Sequence, residues 1–202
     1  MDMRERMTGP EPFVCRYFEM PGEAQARAKK LCWEYNRTAP DQREERIRIL
    51  KELLGTWTPS TFINPSFQCD YGFNIHAHGL MIMNHNCVIL DTSPVHIGHG
   101  AFIGPGTVLA CSGHSLLGEE RMQGLGTSAP ITLEDHVWLG ANVTVVGGIT
   151  IGTGSMIGAG SVVTHDIPAN TLAYGVPCKP VREITEADRL PEEAFAGIPR
   201  YD

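Results

Sequence analysis

A period of six residues runs through the middle of the chain, and it rules out most of the ways a polypeptide can fold. Leu133, Leu139, Val145, Ile151, Ile157 and Val163 stand six apart, and most are followed by a small residue (Gly140, Gly152, Gly158, Thr164). Ile97 and Ile103, followed by Gly98 and Gly104, and Leu109, followed by Ala110, extend the series upstream, with Ile82 and Val88 a few residues out of phase before them. A helix repeats near 3.6 residues and a strand at 2, so neither builds this pattern. A hexapeptide can run as a short strand and then turn through about a third of a revolution, so that three of them close one triangular coil. The apolar residue then fills the prism, and the small residue beside it lets the chain bend where a large side chain would collide. Coils stacked about 4.8 Å apart over residues from about 75 to 176, less one interruption, predict about five turns and a prism about 24 Å long.

The interruption lies between Leu109 and Leu133. Its residues, ACSGHSLLGEERMQGLGTSAPIT, carry no apolar/small pairs, and the charged GEERMQ cannot line a core. An extruded loop over residues 111–130 is the expectation, and solenoid insertions are where function concentrates.

The flanks have a different texture. Residues 1–58 read as a helical segment. In one helix Ala24, Ala28, Leu31, Cys32 and Tyr35 share a face; in the next Ile47, Leu50, Leu53 and Leu54 form the stripe, Asp41 with Glu44 resembles a capping box, and Gly55 is the stop signal. Residues 185–202 are charged and broken by proline, a tail.

Sixteen basic residues against twenty-three acidic ones leave a formal charge of −7, which disfavours nucleic acid and anionic membranes as partners. The six cysteines form no CxxC pair, and the start MDMRERMTGPEPF lacks the apolar core of a signal peptide. Reduced, buried thiols in a cytoplasmic protein are the expectation. No apolar run is long enough to span a bilayer.

Four blocks, NPSFQCDYGFNI (64–75), NHNCVILD (84–91), the loop histidine, and PITLEDHVWLGANVTVVGGITIGTGSMIGAGSVVTHDIPANTLAYGVPCKPVREI (130–184), resemble the maltose/galactoside O-acetyltransferases of the hexapeptide superfamily. The resemblance implies a mainly β fold: a left-handed parallel β-helix over residues 59–184, with an N-terminal helical segment and an extruded loop. It also implies a homotrimer with acetyl-CoA bound between neighbouring prisms, a sugar or similar small acceptor, and no required metal. His114 matches the catalytic histidine, and an imidazole is suited to taking a hydroxyl proton near neutral pH. Asp70 and Asn84 match acceptor contacts. Trp138, Ala141, Ala159, Thr164, Lys179 and Arg182 match the donor site, the two cations facing the CoA phosphates.

The chain departs from the family in three places. His-Pro-Leu reads His114-Ser115-Leu116, which predicts a looser loop. A lysine is replaced by His165, and the usual acidic N-terminal sugar contact is missing from VCRYFEMPGE, where Glu19 is the acidic residue on offer. Two other readings stand beside the enzyme: a scaffold that kept the prism and lost catalysis, and a zinc enzyme of the γ-carbonic anhydrase type. For the latter, His76, His78 and His85 are the imaginable ligands; His96, His99 and His136 are expected in exposed turns. Cys111, three residues before His114, is an alternative nucleophile.

Overall fold

The computed structural model describes residues 2–198. The backbone winds into a prism whose three faces are parallel sheets. Face one stacks Thr61–Ile63, Met81–Met83, Ala101–Ile103, Trp138–Leu139, Met156–Ile157 and Thr171–Gly175. Face two stacks Phe67–Cys69, Cys87–Leu90, Val108–Ala110, Thr144–Val146 and Val162–Val163; face three stacks Ile75–Ala77, Val95–Ile97, Ile131–Leu133 and Thr150–Ile151. Strand alternation sends Leu133, Leu139, Val145, Ile151, Ile157 and Val163 inward, and all six are fully or almost fully buried.

The prism is longer than the spacing predicts, because the first turns carry a shifted phase. Ile82 and Val88 point outward and are half-buried, while Met81, Met83, Cys87 and Ile89 fill the core. Ala77, Met83 and Ile89 keep the interval of six, but Ile89 and Ile97 are eight apart. Register shows the same thing: Thr61 pairs with Met81 and Met81 with Ala101, twenty residues per turn, whereas Trp138 pairs with Met156, eighteen per turn. The two additional residues of each early turn fall at the corner between faces two and three. At the corner between faces one and two nothing is added, and the backbones nearly touch: a Cβ on Gly104 would lie 2.5 Å from the Gly140 carbonyl carbon.

The N-terminal segment caps the open end of the first turn. Helix α1 (Met3–Thr8) leads to a strand, Phe13–Arg16, and then to α2 (Gly22–Tyr35) and α3 (Arg43–Leu53). The side chain of Asn36 donates to the Phe67 carbonyl and accepts from its amide, both at 2.8 Å, and the Tyr35 hydroxyl donates to the Ile63 carbonyl. Edge groups of the first rung are thereby paired, which stops further strands from adding. Two details differ from expectation. Helix α3 starts one residue later, after Gln42, and the Asp41–Glu44 capping box does not form because the Gln42 side chain accepts from the Ala39 amide at 2.8 Å and closes a separate turn. Ile49 is buried with Leu50 and Leu53, whereas Ile47 is only half-buried.

The segment 111–130 is more ordered than a loop. Ser112–His114 and Leu125–Ser128 are strands on either side of a short helix, α4 (Gly118–Met122), and the N-terminal strand Phe13–Arg16 pairs antiparallel with Leu125–Ser128 to complete a three-stranded sheet. Val108 pairs with Thr144 across thirty-six residues, eighteen more than a regular turn. The insertion is therefore three hexapeptides long and leaves the phase of the prism unchanged. At the far end Cys178–Glu183 folds back antiparallel on Thr171–Gly175. The tail continues as two 3₁₀ turns, Glu186–Asp188 and Glu192–Phe195. All six cysteines are unpaired and buried.

Candidate active site

The corner between faces two and three, widened in three successive turns, encloses a cavity of about 290 Å³. Asp70 and Tyr71 come from the first turn, Thr92 from the second, Ser112, Gly113 and His114 from the insertion, and Gln25 from α2. Asp70 and His114, far apart in sequence, thus open into one space.

His114 ends the strand Ser112–His114 and is exposed. The Tyr17 hydroxyl hydrogen-bonds its Nδ1, and the two rings meet edge to face at 5.4 Å and 71°. The loop is not loose where proline is missing: Ser115 Oγ donates to the Glu120 carboxylate and accepts from the Leu117 amide at 3.2 Å, while Arg121 donates to the carbonyls of Ser115 and Leu116 at 2.7 and 2.9 Å. Thr92 and Ser93 both bond Ser128, at 2.6 and 2.7 Å, which ties the inserted sheet to the prism.

Asp70 accepts from the Gln25 amide at 3.3 Å. Burial pushes its carboxyl up, against the pull of that hydrogen bond and of the Lys29 charge. Beneath it Asp91 is fully buried, accepting from the amides of Asp70 at 3.0 Å, Tyr71 at 2.9 Å and Asn74 at 3.4 Å. Burial raises its pKa to about 6, although those amides favour the charged form. Cys111 lies at the same corner, but burial pushes its thiol up to about 12, so it holds its proton and is a poor nucleophile.

The other predicted site residues lie elsewhere on the prism. Asn84 is on the corner between faces one and two, stacked in one column with Gly104, Gly140 and Gly158. Ala141 and Ala159 are on that same corner, the Gly160 amide donating to the Ala141 carbonyl at 2.8 Å. Trp138 is exposed on face one, in register between Phe102 and Met156. Thr164, on the corner between faces two and three but two turns beyond the widening, bonds His165 Nδ1 at 3.0 Å. Lys179 is exposed on the terminal hairpin; Arg182 makes a two-pronged pair with Asp188 at 2.6 and 2.8 Å. Glu19 is taken up by the Arg16 amide at 3.0 Å and does not line the cavity.

His76, His78 and His96 stack on face three with planes 19–21° apart. His96 is thus a strand residue rather than a turn residue, and burial with the neighbouring rings pushes His76 and His96 below the usual imidazole range. His85 bonds the Pro65 carbonyl instead of joining them. His78 Nε2 and His96 Nδ1 hydrogen-bond each other at 3.1 Å, and among the described residues no group of three or more His, Cys, Asp or Glu side chains is placed to hold a metal ion. Tyr17, Gln25 and Asp91 were not singled out from the sequence. The first two enter through pairing of the N-terminal segment with distant chain, which leaves no mark on a period of six.

A model described as the maltose acetyltransferase hexapeptide capping motif matches residues 22–58, and one described as bacterial transferase hexapeptide (six repeats) matches residues 130–165. The galactoside O-acetyltransferase of Escherichia coli (strain K12) is 38% identical over 189 residues, 94% of this chain and 93% of that protein. A solved galactoside acetyltransferase in complex with coenzyme A superposes with a TM-score of 0.86 at 38% identity, covering 93% of this chain and 94% of that one. A hexapeptide-repeat acetyltransferase from Vibrio cholerae, solved with acetyl coenzyme A, gives 0.84 at 33% identity, covering 92% and 100%.

Proposed function

The chain belongs to the hexapeptide-repeat acetyltransferases of the maltose/galactoside group, and from that premise we propose that it moves an acetyl group from acetyl-CoA to a hydroxyl of a sugar or similar small acceptor. The observation that carries the reading is Asp70 and His114 opening into one cavity beside a conformationally pinned loop. Asp70 accepts from an acceptor hydroxyl, and His114 takes the proton of the hydroxyl that attacks. Attack is direct, in one ternary complex, and His114 later yields its proton to the departing sulfur. The protonated, buried Cys111 supports a route without an acetyl-enzyme.

Acetyl-CoA supplies an activated carbonyl; the chain supplies its berth. Ala141 and Ala159, one above the other with no side chain beyond a methyl, leave a straight edge for an extended arm. Trp138 walls one end of that edge, Thr164 lines the far side, and Lys179 and Arg182 face the phosphates, while Asn84, on the same corner, is with Asp70 the acceptor contact. Arg182 shares its charge with Asp188, so Lys179 is the stronger anion contact.

His114 and Asp70 stand on one edge of face two, and Asn84, Ala141 and Ala159 on the other. One prism cannot fold its own two edges together; a rotated copy can. That separation supports a homotrimer with sites between subunits as the assembly. Face one also offers an in-register apolar ladder, Phe62, Ile82, Phe102, Trp138, Met156 and Leu172, three of whose members are 44–52% exposed. Residues 59–184 form the catalytic unit. Residues 1–58 cap it and wall the acceptor cavity, and 185–202 are a tail whose last four residues lie outside those described. Among the described residues no helix is long and apolar enough to cross a membrane, and six cysteines without disulfides suit the cytoplasm.

Thiol release from acetyl-CoA with a panel of sugars tests the reading. His114→Ala is expected to lose at least about 100-fold in rate with its melting temperature unchanged. Equal rates in the two proteins would remove His114 from the mechanism, and no release with any hydroxyl acceptor would favour the scaffold reading.

A further inference from the structure

We infer that Tyr17 is the positioning residue for His114: its hydroxyl oxygen accepts from Nδ1–H and so holds the imidazole in the tautomer whose lone pair is on Nε2. A neutral imidazole has one N–H and one lone pair, and a phenol hydroxyl can donate or accept; a base that takes the proton at Nε2 requires the direction in which Nδ1–H donates to the Tyr17 oxygen. Among the described residues, Tyr17 is the side chain that hydrogen-bonds this ring; its hydroxyl is bonded to Nδ1, and Nε2, at 3.3 Å, is at the margin of that interaction. When Nε2 gains a proton, Nδ1–H keeps the same acceptor, so the ring need not turn during the reaction.

The contact is built by the backbone rather than left to a free side chain. Arg16 pairs with Leu125 and His114 with Gly126, so one strand, Leu125–Ser128, sets both partners. The Tyr17 amide donates to the Gly124 carbonyl at 3.1 Å, and Arg16 Nη1 donates to the Gln123 carbonyl at 3.1 Å. A Cβ on Gly124 would come within 3.6 Å of Tyr17 Cδ2, and one on Gly126 within 3.7 Å of Cε1. The two glycines thus form a shelf on which the phenol ring lies. A side chain from outside both the prism and the insertion completes the candidate base.

The tautomer and its catalytic consequence both rest on the acetyl-transfer reading, and each has its own test. Tyr17→Phe keeps the ring on its shelf and removes the hydroxyl. In the full chain, kcat is expected to fall about tenfold while KM for acetyl-CoA and for the acceptor stays within about twofold. Nitrogen NMR of the His114 ring at a pH where it is neutral is expected to show mainly Nδ1–H in the parent and a mixture of tautomers in the variant. An unchanged kcat beside an inactive His114→Ala, or an unchanged tautomer ratio, would overturn the inference. If His114→Ala kept full activity, the acetyl-transfer mechanism would fall, and the NMR comparison would still decide the role of Tyr17.

Discussion

The corner between faces one and two repeats Asn84-His85-Asn86, Gly104-Pro105-Gly106, Gly140-Ala141-Asn142 and Gly158-Ala159-Gly160 with nothing added or lost. The corner between faces two and three gains two residues in each of the first two turns and eighteen in the third. In the four turns after the first, whose third position is Ser66, the third position of the strict corner is left-handed, with φ of 62° at Asn86, 72° at Gly106, 56° at Asn142 and 73° at Gly160, and only glycine and asparagine occupy it there. At the widened corner the added residues depart from the interval of six, and aspartate, tyrosine and histidine line a cavity. The strict corner is constrained by stacking, and the widened one is free to be a site.

Removing the insertion tests this division most severely. Deleting residues 112–129 joins Cys111 to Pro130 and restores an interval of six between Leu109 and Leu133, so the prism is expected to remain folded, with a cooperative melt and a β-type circular dichroism spectrum. Acetyl transfer is expected to fall at least about a thousandfold, because the base and one wall of the cavity leave together. A deletion variant that fails to fold would show that the widened corner also carries the stability of the prism.

A smaller effect compares single methyl groups at the two corners. On Gly104 a Cβ would meet backbone at 2.5 Å, which cannot yield without separating two turns; on Gly113 it would meet the Thr127 hydroxyl at 2.7 Å, the end of an exposed side chain that can rotate. Gly104→Ala is expected to cost about 3 kcal/mol and Gly113→Ala less than about 1 kcal/mol, read from urea midpoints. Equal costs would erase the distinction.

The same contrast explains what was legible in the sequence. From Ile97 onward each inward residue is announced by its interval, and Leu133 to Val163 occupy the predicted places. Below Ile97 the widened corner shifts the phase by two residues per turn, which is why Ile82 and Val88 mimic core positions while Met83 and Ile89 hold them. His114 could be found because it interrupts a regular pattern and matches a known block. Tyr17 could not, since pairing of Phe13–Arg16 with Leu125–Ser128 joins segments with no shared periodicity. Asp91 was in view within NHNCVILD, but only its burial under Asp70 gives it a role.

Asp91 is also where the widened corner carries a cost the strict one does not. Its folded pKa of about 6 exceeds the usual carboxylate value because burial disfavours the charge. Between about pH 4 and 6 the folded chain therefore binds more protons at this site than the unfolded chain, and stability from this group falls as pH rises through that window, by about 2–3 kcal/mol in all. Asp70, also raised by burial, acts in the same direction, so the measurement is a difference. Urea unfolding of the parent and of Asp91→Asn across pH 4–7 is expected to show the downward slope in the parent and its reduction in the variant, the curves converging at the acid end where Asp91 is neutral. The charge persists above pH 6 because an ionised carboxylate, with two oxygens, accepts from three amides of the Asp70–Asn74 turn at once, whereas asparagine offers one oxygen. The variant should accordingly bind its acceptor less well at neutral pH even where it is the more stable protein. Parallel pH curves for the two proteins would mean that Asp91 is not raised by burial and carries no such cost.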